Sequence, residues 1–239
     1  MPGNYRDRGV VLRTIRLGEA DRIITLVTAG RGKVRAVAKG VRRTKSRFGA
    51  RLEPTSHVSV QCWHGRELDV VTGVEVLDHF RVVREDFDRF RQAATMLEAT
   101  DQLSVEGHAD PELYQMLVRA LGQLALRDSP LVAPAFLWKA LALEGLRPVV
   151  EECTRCGGPG PLVAFDVGSG GARCDRCRQG VGVSPDALAI VHRILAGDLA
   201  RVLSEPPSPV AGEVGRLAAL ALEHHVERRL RSLGALERT

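Results

Sequence analysis

Between residues 8 and 77 apolar and β-branched residues recur in short runs: GVVLRTI, RIITLVT, KVRAVA, HVSVQCW and LDVVTGVEVL. LGEAD, AGRGK and HGRE supply turn residues between them, so the pattern predicts five short strands. Five such strands predict a small closed β-domain; pattern alone does not separate an OB-like from an SH3-like barrel. In residues 33–39 the alternation puts Lys33, Arg35, Val37 and Lys39 on one face, and Val34, Ala36 and Ala38 on the other. Cys62 shares a face with Val58 and Val60 and reads as core. Trp63 falls on the polar face with Ser59 and Gln61, where it either meets a bound partner or packs against the helical domain that follows.

Near residue 80 the period lengthens. Phe87, Phe90, Ala94 and Leu97 follow helical spacing. Asp110-Pro111 reads as a helix start before Leu113, Leu117, Leu121 and Leu124, and Ser129-Pro130 as its stop. A helix over 134–144 closes at Gly145; another opens at Ser184-Pro185, turns Leu188, Val191 and Leu195 to one side and closes at Gly197. SEPPSP (204–209) reads as a linker and 212–233 as a last helix. The expected class is α+β, with a barrel over 1–80, helices over 81–149 and 183–239, and a separate module over 150–182.

Charge changes the picture. Residues 1–52 carry fourteen Lys/Arg against three acids, a net +11, so the rest of a chain totalling +5 carries −6. The stretch KGVRRTKSRFGARL (39–52) holds six cations and no acid. A basic segment on an otherwise acidic chain points to a polyanion, and the preference for Arg favours nucleic acid over membrane. No apolar run reaches membrane-spanning or signal-peptide length, so a cytoplasmic protein is expected. Within 39–52, Phe48 either stacks on a base or anchors the stretch to the barrel.

Between the helices lie CTRC (153–156) and CDRC (174–177). Paired CxxC knuckles with a hairpin-sized gap predict one structural Zn²⁺ on Cys153, Cys156, Cys174 and Cys177, with no open position for catalysis. Gly157, Gly158, Gly170 and Gly171 would let the backbone turn tightly there. Arg155, Arg173, Arg176 and Arg178 either balance the thiolate charge or touch nucleic acid a second time. Other chemistry is absent from the pattern. The stretch from Gly40 to Lys45-Ser46 lacks the second glycine of a P-loop, and there is no HExxH or nucleophile elbow. Glu85, Asp86 and Asp88 read as a helix start, and His224-His225 as a solvated face. The expectation is a protein that is not an enzyme.

One set of positions runs through Gly9-Val10-Val11-Leu12, Leu17-Gly18-Glu19-Ala20-Asp21, Gly32-Lys33, Ala38-Lys39-Gly40, Ser46, and Leu52 with Pro54. It continues through Leu97-Glu98, Glu106, the four cysteines with Gly170-Gly171, and HHVERRLRSL. In these residues together the sequence resembles the RecO family of bacterial recombination mediators. The resemblance implies an N-terminal OB-fold barrel followed by an all-α domain with an inserted four-cysteine zinc module. It implies a DNA-repair and DNA-damage role without catalysis: binding single- and double-stranded DNA, annealing complementary strands, and helping RecA load onto SSB-coated single strands. The implied partners are RecR and the acidic, apolar C-terminal tail of SSB, with RecA engaged indirectly, at the nucleoid. On this reading Lys33, Arg35, Lys39, Arg42, Arg43, Lys45, Arg47 and Arg51 contact the nucleic acid. An OB and zinc-ribbon adaptor that binds RNA, and a metal-dependent nuclease, are the competing readings.

Overall fold

A computed structural model of the chain describes residues 3–44, 46, 48–227, 230 and 232. It divides into two compact units, Met1–Ala125 and Leu126–Thr239. The change from strand to helix falls near residue 80, but the first long helices pack in the same unit as the barrel.

In the first unit β1 (Asn4–Leu17), β2 (Asp21–Thr28), β3 (Gly32–Ala38), β4 (His57–Trp63) and β5 (Asp69–Asp78) close into a barrel in the order β1-β2-β3-β5-β4. This is the OB-fold arrangement, which decides between the two barrel types. β1 begins five residues before the apolar run GVVLRTI because its first half alternates polar-out residues, Asn4, Arg6 and Arg8, around Tyr5, which packs on the core. Val11, Ile24, Leu26, Ala36, Ala38, Val58, Val60, Cys62 and Val71 fill the interior. Burial pushes the Cys62 thiol up to about 11, so it is an inert core group.

Three helices complete the unit: α1 (Arg81–Glu85), α2 (Phe87–Leu103) and α3 (Pro111–Leu126). Asp86 caps α2 by accepting from the Arg89 amide at 2.9 Å, and Asp110 accepts from the Leu113 amide at 2.9 Å. The face of α2 differs from the one its aromatics suggest. Ala93, Met96, Leu97 and Thr100 are buried, whereas Phe87 and Phe90 are exposed. The helical period was legible there, but among the described residues nothing covers Phe87 in the first turn of α2, and it stays exposed.

The second unit holds α4 (Val132–Leu143), a three-stranded sheet of β6 (Leu162–Asp166), β7 (Gly171–Cys174) and β8 (Val181–Gly182) in the order β7-β6-β8, then α5 (Pro185–Leu195), α6 (Leu199–Val202) and α7 (Val210–His225). α4 is apolar on almost all sides and is the buried axis of the unit. Trp138 on α4 meets Phe165 of β6 edge-on, with centroids 5.7 Å apart, which joins the cysteine-bearing sheet to the helical core. Ser184 caps α5 and is held in turn by Glu213 of α7 at 2.6 and 2.7 Å. Ile194, one position before the expected Leu195, faces the core. The last helix ends at His225; much of the remainder of the helix expected over 212–233 lies outside the described residues.

Candidate nucleic-acid interface and metal centre

The stretch 39–52 is the β3–β4 connection of the barrel. Its apolar residues point inward: Val41, Phe48 and Leu52 are buried in the barrel core, and Gly49–Leu52 forms a single 3₁₀ turn. Phe48 is 2% exposed, so it anchors the stretch and presents no face to a base. The connection is tied down at both ends. At its start the Gly40 amide donates to Asp21 at 2.7 Å, and the Arg42 guanidinium donates to the carbonyl of Glu19 at 2.9 Å. Beyond its end, Arg22 pairs with Glu53 at 2.6 Å, and Arg84 of α1 donates to the carbonyls of Glu53 and Pro54 and to the hydroxyls of Thr55 and Ser56. Burial lowers the Arg84 pKa, as expected for a cation held mainly by carbonyls and hydroxyls. The stretch is therefore anchored near both ends, and of its cations Lys39, Arg42, Arg43 and Arg51 are exposed.

The cations of residues 1–52 divide into two groups. Arg6 pairs with Glu75 at 2.5 Å, Arg13 with Asp101 at 2.6 Å, Lys33 with Asp101 at 3.3 Å and Arg35 with Glu106 at 3.8 Å. Arg31 lies 4.0 Å above the Tyr5 ring. Lys33 also donates to the Asp101 carbonyl. The alternation along β3 is as expected, with Val34, Ala36 and Ala38 inward. However, the outward Lys33 and Arg35 lie beneath the segment after α2, whose Val105 carbonyl accepts from the Lys33 amide at 3.2 Å. Their charge is compensated within the fold.

Lys39, Arg42 and Arg43, with Arg8 and Arg16 of β1, form the second group. They are exposed and, among the described residues, make no salt bridge, since the acceptors of Arg42 are neutral carbonyls. Arg51 is also exposed. Lys45 and Arg47 lie outside the described residues. Exposed cations without a salt bridge among the described residues thus stand on the β3–β4 connection (Lys39, Arg42, Arg43), on β1 (Arg8, Arg16) and on the β4–β5 turn (Arg66). Pairing to acids 31 to 88 residues away, which a reading along the chain does not see, separates the two groups.

In the second unit the sulfurs of Cys153, Cys156, Cys174 and Cys177 all lie within 4.8 Å of one another, and Cys156 and Cys174 are 3.8 Å apart. A tetrahedral ion with metal–sulfur bonds of about 2.3 Å requires sulfurs about 3.8 Å apart, so the cluster fits one metal ion. All four are free thiols. The first knuckle is closed by the Cys153 amide on the Gly158 carbonyl and the Gly157 amide on the Cys153 carbonyl, both 2.8 Å. The Thr154 amide donates to Ala172 at 2.9 Å and the Ala172 amide to Val149 at 2.7 Å, so the knuckle is stitched to β7, which carries Cys174. Gly171 sits where that approach is closest: a Cβ there would lie 2.3 Å from the Val149 carbonyl oxygen. Hydrogen bonds led by the Cys174 amide pull Cys153 down to about 6, while burial and the neighbouring sulfurs push Cys177 up to about 12. Four adjacent thiols cannot all ionise without a cation among them.

Two family models match this chain. One, described as Recombination protein O N terminal, covers residues 1–80, and the other, Recombination protein O C terminal, covers residues 84–234. The chain belongs to the RecO family. Membership places it in DNA repair and recombination, in a family of mediators that are generally not enzymes. The resemblance read from the residues and the OB-fold expected from it both hold.

The arginines around the cysteines have different roles. Arg173 is buried and grips Asp166 at 2.7 Å, which holds the Asp166 carboxyl below its usual range. Arg173 is a structural member of the sheet; Arg155, Arg176 and Arg178 are the more open ones. No helix among the described residues is long and apolar enough to cross a membrane.

Proposed function

We propose that this member of the RecO family binds single- and double-stranded DNA through the β3–β4 connection of its barrel and anneals complementary strands in the cytoplasm without chemical turnover. The observation that supports the reading is the cluster of exposed cations on the β3–β4 connection, where Lys39, Arg42 and Arg43 make no salt bridge among the described residues, whereas Arg6, Arg13, Arg22, Lys33 and Arg35 are paired within the fold. Phosphate neutralisation is independent of sequence, which suits a protein that must accept any two complementary strands. Cations that relieve the repulsion between two backbones at once let the bases meet. Of the eight candidate contacts, Lys33 and Arg35 shape the surface from beneath, and Lys39, Arg42, Arg43, Lys45, Arg47 and Arg51 carry the phosphates. The direct test is annealing of SSB-coated complementary DNA, with complementary RNA as comparison. Annealing of DNA supports the reading, whereas activity confined to RNA favours the adaptor reading, and Mg²⁺-dependent cleavage that a point mutation abolishes favours the nuclease.

The cysteine cluster would hold one Zn²⁺ per chain, whose chemistry there is structural: four thiolates saturate it. RecR, SSB and, through them, RecA are the expected partners. The second unit carries a cavity of about 530 Å³ lined in part by Leu141, Leu146, Phe165, Arg147, His224 and His225. Apolar walls beside basic side chains suit the acidic, apolar tail of SSB. Arg147→Glu should abolish binding of a tail peptide while leaving DNA affinity unchanged; an unchanged peptide affinity removes this cavity from the account.

A further inference from the structure

The turn Glu53–Ser56 closes the β3–β4 connection, and its backbone departs from what its residues prefer. The Ser56 amide donates to the Glu53 carbonyl at 3.1 Å, with Pro54 second in the turn and Thr55 third at φ 75°. After a proline, positive φ at the third position is the geometry that Gly or Asn adopts in a type II turn. A β-branched residue in that region crowds its own backbone. Thr55 holds it nonetheless, fully buried beside a fully buried Ser56. The turn is therefore kept in shape by its surroundings rather than by local preference.

Two sets of bonds hold it. On one side is β1, where the Val11 amide donates to the Ser56 carbonyl at 2.9 Å and the Thr55 amide to the Val11 carbonyl at 3.0 Å, with Val11 itself in the barrel core. On the other side is one guanidinium. Arg84 Nε donates to the Thr55 hydroxyl at 3.0 Å, and Nη2 donates to the carbonyls of Glu53 at 3.3 Å and Pro54 at 3.2 Å and to the Ser56 hydroxyl. Every residue of the turn thus bonds Arg84. A planar fork can spread its donors over a turn in this way, and a single ammonium cannot. α1, which carries Arg84, is fixed in its turn: Val83 is fully buried, and Phe80 is buried with its amide on Asp78 at 2.7 Å.

The clamped turn is continuous with the cations before it. The Glu53 amide donates to the Ala50 carbonyl at 3.4 Å and the Arg51 amide to the Phe48 carbonyl at 3.1 Å, so the 3₁₀ turn that carries Arg51 takes its position from Glu53. We propose that Arg84 is a positioning residue for phosphate binding: it meets no phosphate itself, and it presents the cations of the β3–β4 connection by holding the Glu53–Ser56 turn in its strained form. This rests on the proposed DNA binding and adds to it the group that sets the geometry of the surface. A connection already ordered in the free protein loses little freedom when DNA arrives, which raises affinity. The number of phosphates met does not change, so the salt dependence does not change either.

The test uses the full chain and an oligo-dT strand, with Arg84→Lys, Arg84→Met, and Arg84→Met combined with Thr55→Gly. Arg84→Lys keeps the charge and loses the fork. Both single variants should bind about tenfold more weakly than wild type at every salt concentration, with the slope of log K against log salt unchanged at about −4. Thr55→Gly supplies the residue that the turn geometry prefers and removes one of the acceptors left without a donor, so it should restore most of the binding to Arg84→Met. If wild type binds with the expected slope and the Arg84 variants, with β1–β5 still protected from amide exchange, bind equally well, Arg84 is structural only: the clamp is wrong and the phosphate reading stands. Wild-type affinity in Arg84→Lys alone would show that charge and not position matters, and a slope shallower by about 0.7 in Arg84→Met would make Arg84 a phosphate contact; either overturns the proposal. Should Arg84→Met fail to fold, Arg84→Lys decides: a loss uniform across salt supports the clamp, and wild-type affinity overturns it. If wild type binds no strand at all, the clamp and the reading beneath it fall together.

Discussion

Phe48 and Arg42 belong to the same basic stretch and act in opposite directions. Phe48 is buried in the barrel, and Arg42 faces solvent with a guanidinium held by neutral carbonyls. Along the sequence the aromatic was equally compatible with either role, because a lone Phe among cations shows no period to assign it a side. Phe48→Ala should therefore cost about 3–5 kcal/mol of barrel stability, read as a lower urea midpoint; an unchanged midpoint would contradict the anchoring role. His57 offers a second check. It bonds the Tyr114 hydroxyl at 2.8 Å, and burial lowers its pKa below the ordinary 6.5. A His with a folded pKa below its unfolded value contributes stability that is present above pH about 6.5 and lost as pH falls through the folded value. Melting temperatures of wild type and His57→Gln should run parallel above pH about 7, and the wild type should fall more steeply below pH about 6.

At the level of elements, alternation predicted β3 and the outward placement of Lys33 and Arg35 correctly, since both depend only on residues two apart. Their neutralisation by Asp101 and Glu106 depends on where the end of α2 and the segment after it lie, which no local pattern encodes. Lys33→Ala should therefore act on stability, by about 1–3 kcal/mol because Asp101 keeps Arg13, and leave the salt dependence of DNA binding unchanged. A flattened salt slope in this variant would return Lys33 to the phosphate contacts. The cysteine module was the most legible element, because metal geometry dictates the spacing of its ligands whatever surrounds them. What the spacing did not show is that Arg173 is locked to Asp166 in the sheet. Cys153→Ser should lose the metal and increase amide exchange across 150–182 while β1–β5 stay protected. Elemental analysis should find about one zinc per wild-type chain, and its absence from protein purified without chelator would contradict the site.

For the whole molecule, a total of +5 conceals a charge distribution that folding sharpens. Acids from the later part of the first unit neutralise several of the early cations and leave Lys39, Arg42 and Arg43 of the β3–β4 connection, with Arg8 and Arg16 of β1, exposed and without a salt bridge among the described residues. The central claim is that this connection is the phosphate-binding surface. If its six cations meet a single strand, log K against log salt should have a slope of about −4. Replacing Arg42, Arg43, Lys45 and Arg47 by Ala leaves Lys39 and Arg51, and the slope should fall to about −1.4. Annealing should fall with it, while Arg155→Ala with Arg176→Ala in the cysteine module leaves the slope at about −4. The decisive measurement is that salt slope, taken on wild type and the quadruple variant with the same oligonucleotide. A slope of about −4 that collapses in the variant is the predicted result, and a slope unchanged by the four substitutions would contradict the account.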